Sequence, residues 1–134
     1  MTDPQSMIAI LPCSNLDVSA HFYARLGFLQ RGEEILPTPA DDPYRILHDA
    51  DGASLHLRAA EPGWLVPGQN PFALYYRREN VDQLAAEFVG EMVGSLWPED
   101  RPSGMYEFAI SDPDGTLIRV GWPIRLRQSV TVGR

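Results

Sequence analysis

Two side chains with chemistry to offer stand four residues beyond matching glycines: His56 follows Gly52, and Arg119 follows Gly115. An imidazole can exchange a proton near neutral pH or ligate a metal. A guanidinium is a fixed cation that grips oxyanions and repels metal ions. The sequence also offers a carboxylate, Glu107, a phenol, Tyr75, and two indoles, Trp64 and Trp97. Glu107 with His56 would suit acid–base work. The indoles would suit stacking on a planar or cationic ligand. Each residue has a plainer reading beside the functional one. His56 could sit in a groove wall with one hydrogen bond, and Arg119 could pair with a groove carboxylate. Trp64 and Trp97 lie near Pro and Gly, where aromatics also pack the edge of a domain.

The elements that must position these residues come from a chain that repeats itself weakly. Ser14-Asn15-Leu16-Asp17 and later Asp49-Ala50-Asp51-Gly52 are echoed by Glu79-Asn80-Val81-Asp82 and Asp112-Pro113-Asp114-Gly115. Asp17 to Asp82 spans 65 positions and Gly52 to Gly115 spans 63, so two landmarks recur at nearly one offset. Each copy opens on a short apolar strand, 7–11 or 72–76. A helix follows. In the first copy Ser14 with Asp17 reads as its cap, Val18, Phe22 and Leu26 as its buried stripe, and Gly27 as its end. In the second, Asn80 with Gln83 caps, Val81, Leu84, Ala85 and Phe88 form the stripe, and Gly90 stops it. Three further strands complete each copy, the last two joined by an Asp-Gly turn, which supplies the positive φ a tight hairpin needs. The expected architecture is α+β: two βαβββ modules, about 7–60 and 70–123, in one domain spanning 1–134 with a C-terminal tail at 124–134. Residues 129–132 of that tail could add a strand.

Alternation along the strands sorts the side chains. Leu55 and Leu57 face one way, with Ser54, His56 and Arg58 opposite; Ile118 and Val120 face one way, with Leu117, Arg119 and Gly121 opposite. The aliphatic face should pack on the helices. The mixed face should line an open concavity, where ligands usually bind. The repeat makes His56 and Arg119 counterparts, 63 positions apart, and the offset of 65 matches Ile8 to Ala73. Tyr75 shares parity with Ala73, and Glu107 matches Tyr44 at the offset of 63, so both are candidates for the same face. Parity also sets Arg58, Arg77 and Arg119 beside His56, a basic floor better suited to an anionic or neutral ligand than to a cationic one.

Composition narrows the classes. The chain has 134 residues, 44% hydrophobic and 22% charged, which is ordinary for one globular domain. A net charge of −7 argues against a nucleic-acid partner, whose footprint would be a basic face. No apolar run is long enough to span a membrane, and residues 1–6 lack a basic-then-apolar secretory pattern. Cys13 is the single cysteine, a structural thiol with no disulfide partner in the chain, which fits the reducing cytoplasm.

Two stretches carry a family resemblance: Leu11-Pro12-Cys13-Ser14-Asn15-Leu16-Asp17 running into His21-Phe22-Tyr23-Ala24-Arg25-Leu26-Gly27-Phe28, and Gly104-Met105-Tyr106-Glu107-Phe108-Ala109-Ile110-Ser111-Asp112-Pro113-Asp114-Gly115-Thr116-Leu117-Ile118-Arg119. With the repeated βαβββ pattern over residues 7–123, the sequence resembles the vicinal oxygen chelate superfamily of glyoxalases, extradiol dioxygenases, fosfomycin resistance proteins and bleomycin resistance proteins, most closely the last. In metal-dependent members four positions hold the ion, on the first strand and on the strand after the Asp-Gly turn of each half. Mapped by the landmarks, these are Ile8, His56, Ala73 and Arg119, of which only His56 could bind a metal. The resemblance therefore implies no metal, no cofactor and no catalytic residue. The bleomycin-resistance branch implies a homodimer that binds its ligand in grooves at the subunit interface. The expectation is a metal-independent, cytoplasmic small-molecule binder that sequesters a planar or heteroaromatic compound, an antibiotic being one such compound. His56, Arg119, Tyr75, Glu107, Trp64 and Trp97 are the expected contacts. The alternatives are a lyase or dioxygenase-like enzyme on the same scaffold with an atypical site, and a structural or regulatory domain with a vestigial groove.

Overall fold

The computed structural model describes residues 5–30 and 43–127. The chain divides into two compact units, Met1–Gln69 and Asn70–Arg134. The architecture is α+β, a three-stranded and a four-stranded sheet with short helices.

In the first unit, β1 (Ile10–Cys13) runs parallel to β3 (Ser54–Ala59), and β2 (Tyr44–His48) runs antiparallel to it, giving the order β1-β3-β2. Pro12, which lacks an N–H, is tolerated because β1 is an edge strand. Leu11, Cys13, Leu47, Leu55 and Leu57 bury one face, and α1 (Leu16–Ala24) covers it. The first strand thus starts later than the expected 7–11: Met7 is 98% exposed, and pairing begins where the residues at 10–13 find β3. The cap also moves by one. Asn15, in extended conformation, accepts from the backbone N–H of Val18 at 3.1 Å. The helix accordingly buries Ser19, Phe22, Tyr23 and, just past its end, Leu26, while Val18 is half-exposed. Tyr23 rather than Val18 completes the stripe because the helix turns that side chain onto the sheet. Leu29 makes an isolated antiparallel bridge to His48. The strand expected between α1 and β2 falls largely at 31–42, outside the described residues, as does the strand expected at 129–132.

The second unit shows the whole βαβββ plan. Its strands are β4 (Ala73–Arg77), β5 (Glu99–Asp100), β6 (Met105–Ser111) and β7 (Leu117–Pro123), in the order β4-β7-β6-β5 with β4 and β7 parallel. The first of these lies one residue beyond the expected 72–76. The helix α2 (Val81–Ala85) runs into a 3-10 turn, and Val81, Ala85 and Phe88 bury against Phe108, Ile110, Ile118 and Val120. Phe88 and Phe108 meet with ring centroids 6.3 Å apart. Asn80 stands at the expected cap, although its side chain bonds Gln83 instead of the backbone.

One device is built twice. Asp49 Oδ1 accepts from the N–H groups of Asp51 and Ala53 at 2.9 and 2.8 Å. Asp112 Oδ1 accepts from those of Asp114 and Thr116 at 2.8 and 2.9 Å. Gly52 and Gly115 take φ of 99° and 87°, the left-handed region these turns require. These rigid turns fix the register of β3 and β7, and with it the faces that His56 and Arg119 present. No helix among the described residues is long and apolar enough to cross a membrane.

Candidate functional site

The register of the second sheet gathers three expected residues on its open face. Tyr75 lies beside Arg119 across β4 and β7, and Glu107 lies beside Gly121 across β6 and β7. The Tyr75 hydroxyl donates to Glu107 Oε1 at 2.7 Å, and Arg119 Nη1 donates to Glu107 Oε2 at 3.0 Å. Glu107 is only 5% exposed, so its charge is held in a buried spot with both oxygens engaged. Burial and the neighbouring Glu107 push the Tyr75 phenol above its ordinary range, which keeps it a proton donor. The floor here is not the bare positive surface that parity suggested. Arg119 is balanced by Glu107, because a buried carboxylate needs a cation and hydrogen bonds to be tolerated.

Gly121 makes the cluster possible. A Cβ at this position would run into the Tyr75 hydroxyl and come within 2.9 Å of Glu107 Cβ. The missing side chain leaves the notch that the phenol occupies.

Beside the cluster lies a cavity of about 450 Å³. Glu107, Ala109, Leu117 and Arg119 form its floor, and Val93 with Gly94 and the segment 101–103 form its walls. The Val93 N–H donates to the Ala109 carbonyl at 2.8 Å, tying the wall to β6 where the short β5 leaves that edge uncovered. Arg101 is the second cation of the wall. Its backbone N–H bonds the Met105 carbonyl, which continues the β5–β6 pairing and places Arg101 on the same face as Glu107. Its Nη1 lies 3.3 Å from Glu99 Oε1.

The first unit arranges its open face differently. Tyr44 Oη and His56 Nδ1 are 2.7 Å apart, with the rings edge to face. Burial, and secondarily His48, holds the imidazole below its ordinary pKa. Arg58, on the same face, reaches Glu61 at 3.4 Å and stacks over Trp64 at 4.7 Å. Trp64 is half-exposed.

Trp97 stands elsewhere. It lies near Tyr106, whose hydroxyl donates to Asp82 of α2 at 2.5 Å and whose ring lies 3.6 Å from the Arg127 guanidinium. Burial and Asp82 push that phenol up to about 12. Tyr106 alternates with Glu107, so Trp97 belongs to the helix-bearing side of the sheet and is not brought to the Glu107 cluster. Arg101, Gly121 and Tyr44 complete the picture. Sequence parity hinted at Tyr44 through its match with Glu107, but Arg101 follows a two-residue strand that leaves no period to read.

The strand register also revises which residues flank the two counterparts. Ile10, not Ile8, lies beside His56, and Tyr75, not Ala73, beside Arg119. The donor set does not fit the divalent ion that metal-dependent superfamily members hold. It comprises an aliphatic side chain, an imidazole turned to a phenol, a phenol donating to a carboxylate, and a guanidinium. Among the described residues no three His, Cys, Asp or Glu converge on one point.

No protein-family model matches the chain, and no curated protein matches it by sequence. Solved structures do. A bleomycin-binding protein complexed with bleomycin superposes with a TM-score of 0.67 at 26% identity, covering 89% of this chain and 98% of the other. A bleomycin resistance determinant encoded on the transposon Tn5 gives 0.68 at 28% identity, over 90% and 98%. An antibiotic-binding protein from Streptomyces shares the fold at 22% identity, with a TM-score of 0.66 over 92% and 98%. These likenesses place the chain in the superfamily of glyoxalases, bleomycin resistance proteins and dioxygenases. Bleomycin-binding proteins are among its structural neighbours.

Proposed function

We propose that this protein binds and sequesters a planar or heteroaromatic small molecule, in the manner of bleomycin resistance proteins, without making or breaking a bond in it. The observation that carries the reading is the cavity of about 450 Å³ over the Tyr75–Glu107–Arg119 cluster. Its size and its mix of apolar walls with a few fixed polar groups are those of ligand sites. The similarity to two bleomycin proteins at 26% and 28% identity supports the same reading. In this proposal the protein is a metal-independent, cytoplasmic homodimer whose groove lies at the subunit interface. Tyr75, Glu107 and Arg119 line the ligand site of the second unit; in the first unit, taken by itself, His56 and Trp64 are the proposed ligand contacts. Glu107 is a poor general base here, since both its oxygens already accept hydrogen bonds.

Calorimetric titration with metal-free bleomycin, copper-bound bleomycin and a panel of planar heteroaromatic antibiotics tests the proposal. At least one should bind with or without a chelator present, and mass spectrometry should recover it unchanged. Failure of every compound, or chemical conversion of a bound one, would overturn the reading. Sedimentation equilibrium should give a dimer; a 15.0 kDa species at all concentrations would contradict the interface groove.

A further inference from the structure

The cavity lining carries two guanidinium groups, Arg101 and Arg119, against one carboxylate, Glu107. The carboxylate is spent: one oxygen accepts from Tyr75 and the other from Arg119. It is buried besides, at 5% exposure. The arginines are not spent. A guanidinium has five N–H donors, and among the described residues each of these two gives only Nη1 to a carboxylate. Their side chains are 31% and 44% exposed; the Arg101 Nε is buried without a partner, so the donors Arg101 offers a ligand are those of its Nη atoms. Glu99, the partner of Arg101, does not line the cavity.

Resting on the small-molecule reading above, we infer that the ligand of this cavity carries an oxyanion, held by the free donors of Arg101 and Arg119. A planar guanidinium matches a carboxylate in two-point geometry, and such charge-assisted hydrogen bonds are the strong ones. Apart from Ser103 and Gly94, the rest of the lining is apolar: Val93, Pro102, Ala109 and Leu117 would take a flat hydrocarbon or heteroaromatic body. The class is therefore an aromatic carboxylate or a close equivalent. A cation at the same place would meet two guanidinium groups and a carboxylate already neutralised.

Three probes of one shape separate the charges: 2-naphthoate, its neutral amide 2-naphthamide, and 2-naphthylmethylammonium. Calorimetric titration of the intact protein should show naphthoate binding about tenfold or more tighter than either other probe, the usual worth of a hydrogen bond to a charged group. Arg101→Gln, which removes a cation without touching the Glu107 cluster, should erase most of that preference, weakening naphthoate binding far more than naphthamide binding. Equal affinity for naphthamide, tighter binding of the ammonium probe, or unchanged naphthoate affinity in Arg101→Gln would each overturn the inference. Metal-free bleomycin, titrated in parallel, distinguishes the failures. If it binds and naphthoate does not, the oxyanion inference falls alone. If neither it nor any probe binds, the small-molecule reading falls with it.

Discussion

On the open face of the first sheet Tyr44 meets His56; at the matching positions of the second, Glu107 meets Arg119. Both pairs link the same two strands of the repeat, at 2.7 and 3.0 Å. The residue beside each basic group differs too: Ile10 flanks His56, and Tyr75 flanks Arg119. At the next position along, Arg58 of the first sheet corresponds to Gly121 of the second, so a stacked cation is replaced by a notch. A shared backbone plan has thus been given an aromatic face with its cation stacked on an indole in one unit, and an excavated face with a buried carboxylate in the other. The duplicated plan sets where side chains stand, and a handful of substitutions decides what they can bind. The Asp-anchored turns are common to both units because register has to be kept whatever the face does.

The comparison can be broken at its base by removing the core beneath the charged face. Phe108→Ala, at a fully buried position against Phe88, should cost about 3–5 kcal/mol in denaturant unfolding. Next, Gly121→Ala fills the notch. It should destabilise by about 1–3 kcal/mol through overpacking, and ultraviolet titration should show the Tyr75 phenol moving back toward 10 as its hydroxyl leaves Glu107. Arg58→Ala at the matching position of the first unit should cost about 1 kcal/mol or less, since it loses only an exposed ion pair and a cation–π contact. The two turns should behave alike: Asp49→Ala and Asp112→Ala each remove an acceptor from two backbone N–H groups and should each cost about 1–3 kcal/mol. Unequal losses would show that the repeat is not energetically equivalent.

The smallest effect is on protonation. His56 is held below its ordinary 6.5, so the folded protein binds its proton less readily than the unfolded chain does. Its contribution to stability is therefore complete above pH 6.5 and is lost as pH falls through the folded value. Imidazole proton shifts in NMR should place the midpoint below 6.5, and a midpoint above it would contradict the packing of His56.

What could be read from the sequence was local or strictly periodic. The Asp-Gly turns announce themselves because few residues accept their backbone geometry. The open and buried faces of β3 and β7 follow from alternation, and the repeat itself paired Tyr44 with Glu107. Boundaries were harder. Ser14 and Asn15 are both good capping residues, and the choice falls to whichever stands where β1 releases the chain. The register that sets Ile10 beside His56 depends on pairing between strands distant in sequence. Arg101 and Val93 were illegible for another reason: the segment between Gly90 and β6 has only a two-residue strand, so no period assigns its faces. Trp97 shows the converse hazard, a loop aromatic whose type suggests ligand stacking but whose neighbour is Tyr106 on the helix side.

The account turns on where a ligand sits, and amide shift mapping of the isotope-labelled protein answers that directly. With metal-free bleomycin or 2-naphthoate added to saturation, whichever binds, the largest amide shifts should cluster at Val93, Gly94, Glu107, Ala109 and Arg119, around the cavity of the second unit. Shifts confined to residues outside that cavity, with these five unmoved, would contradict it.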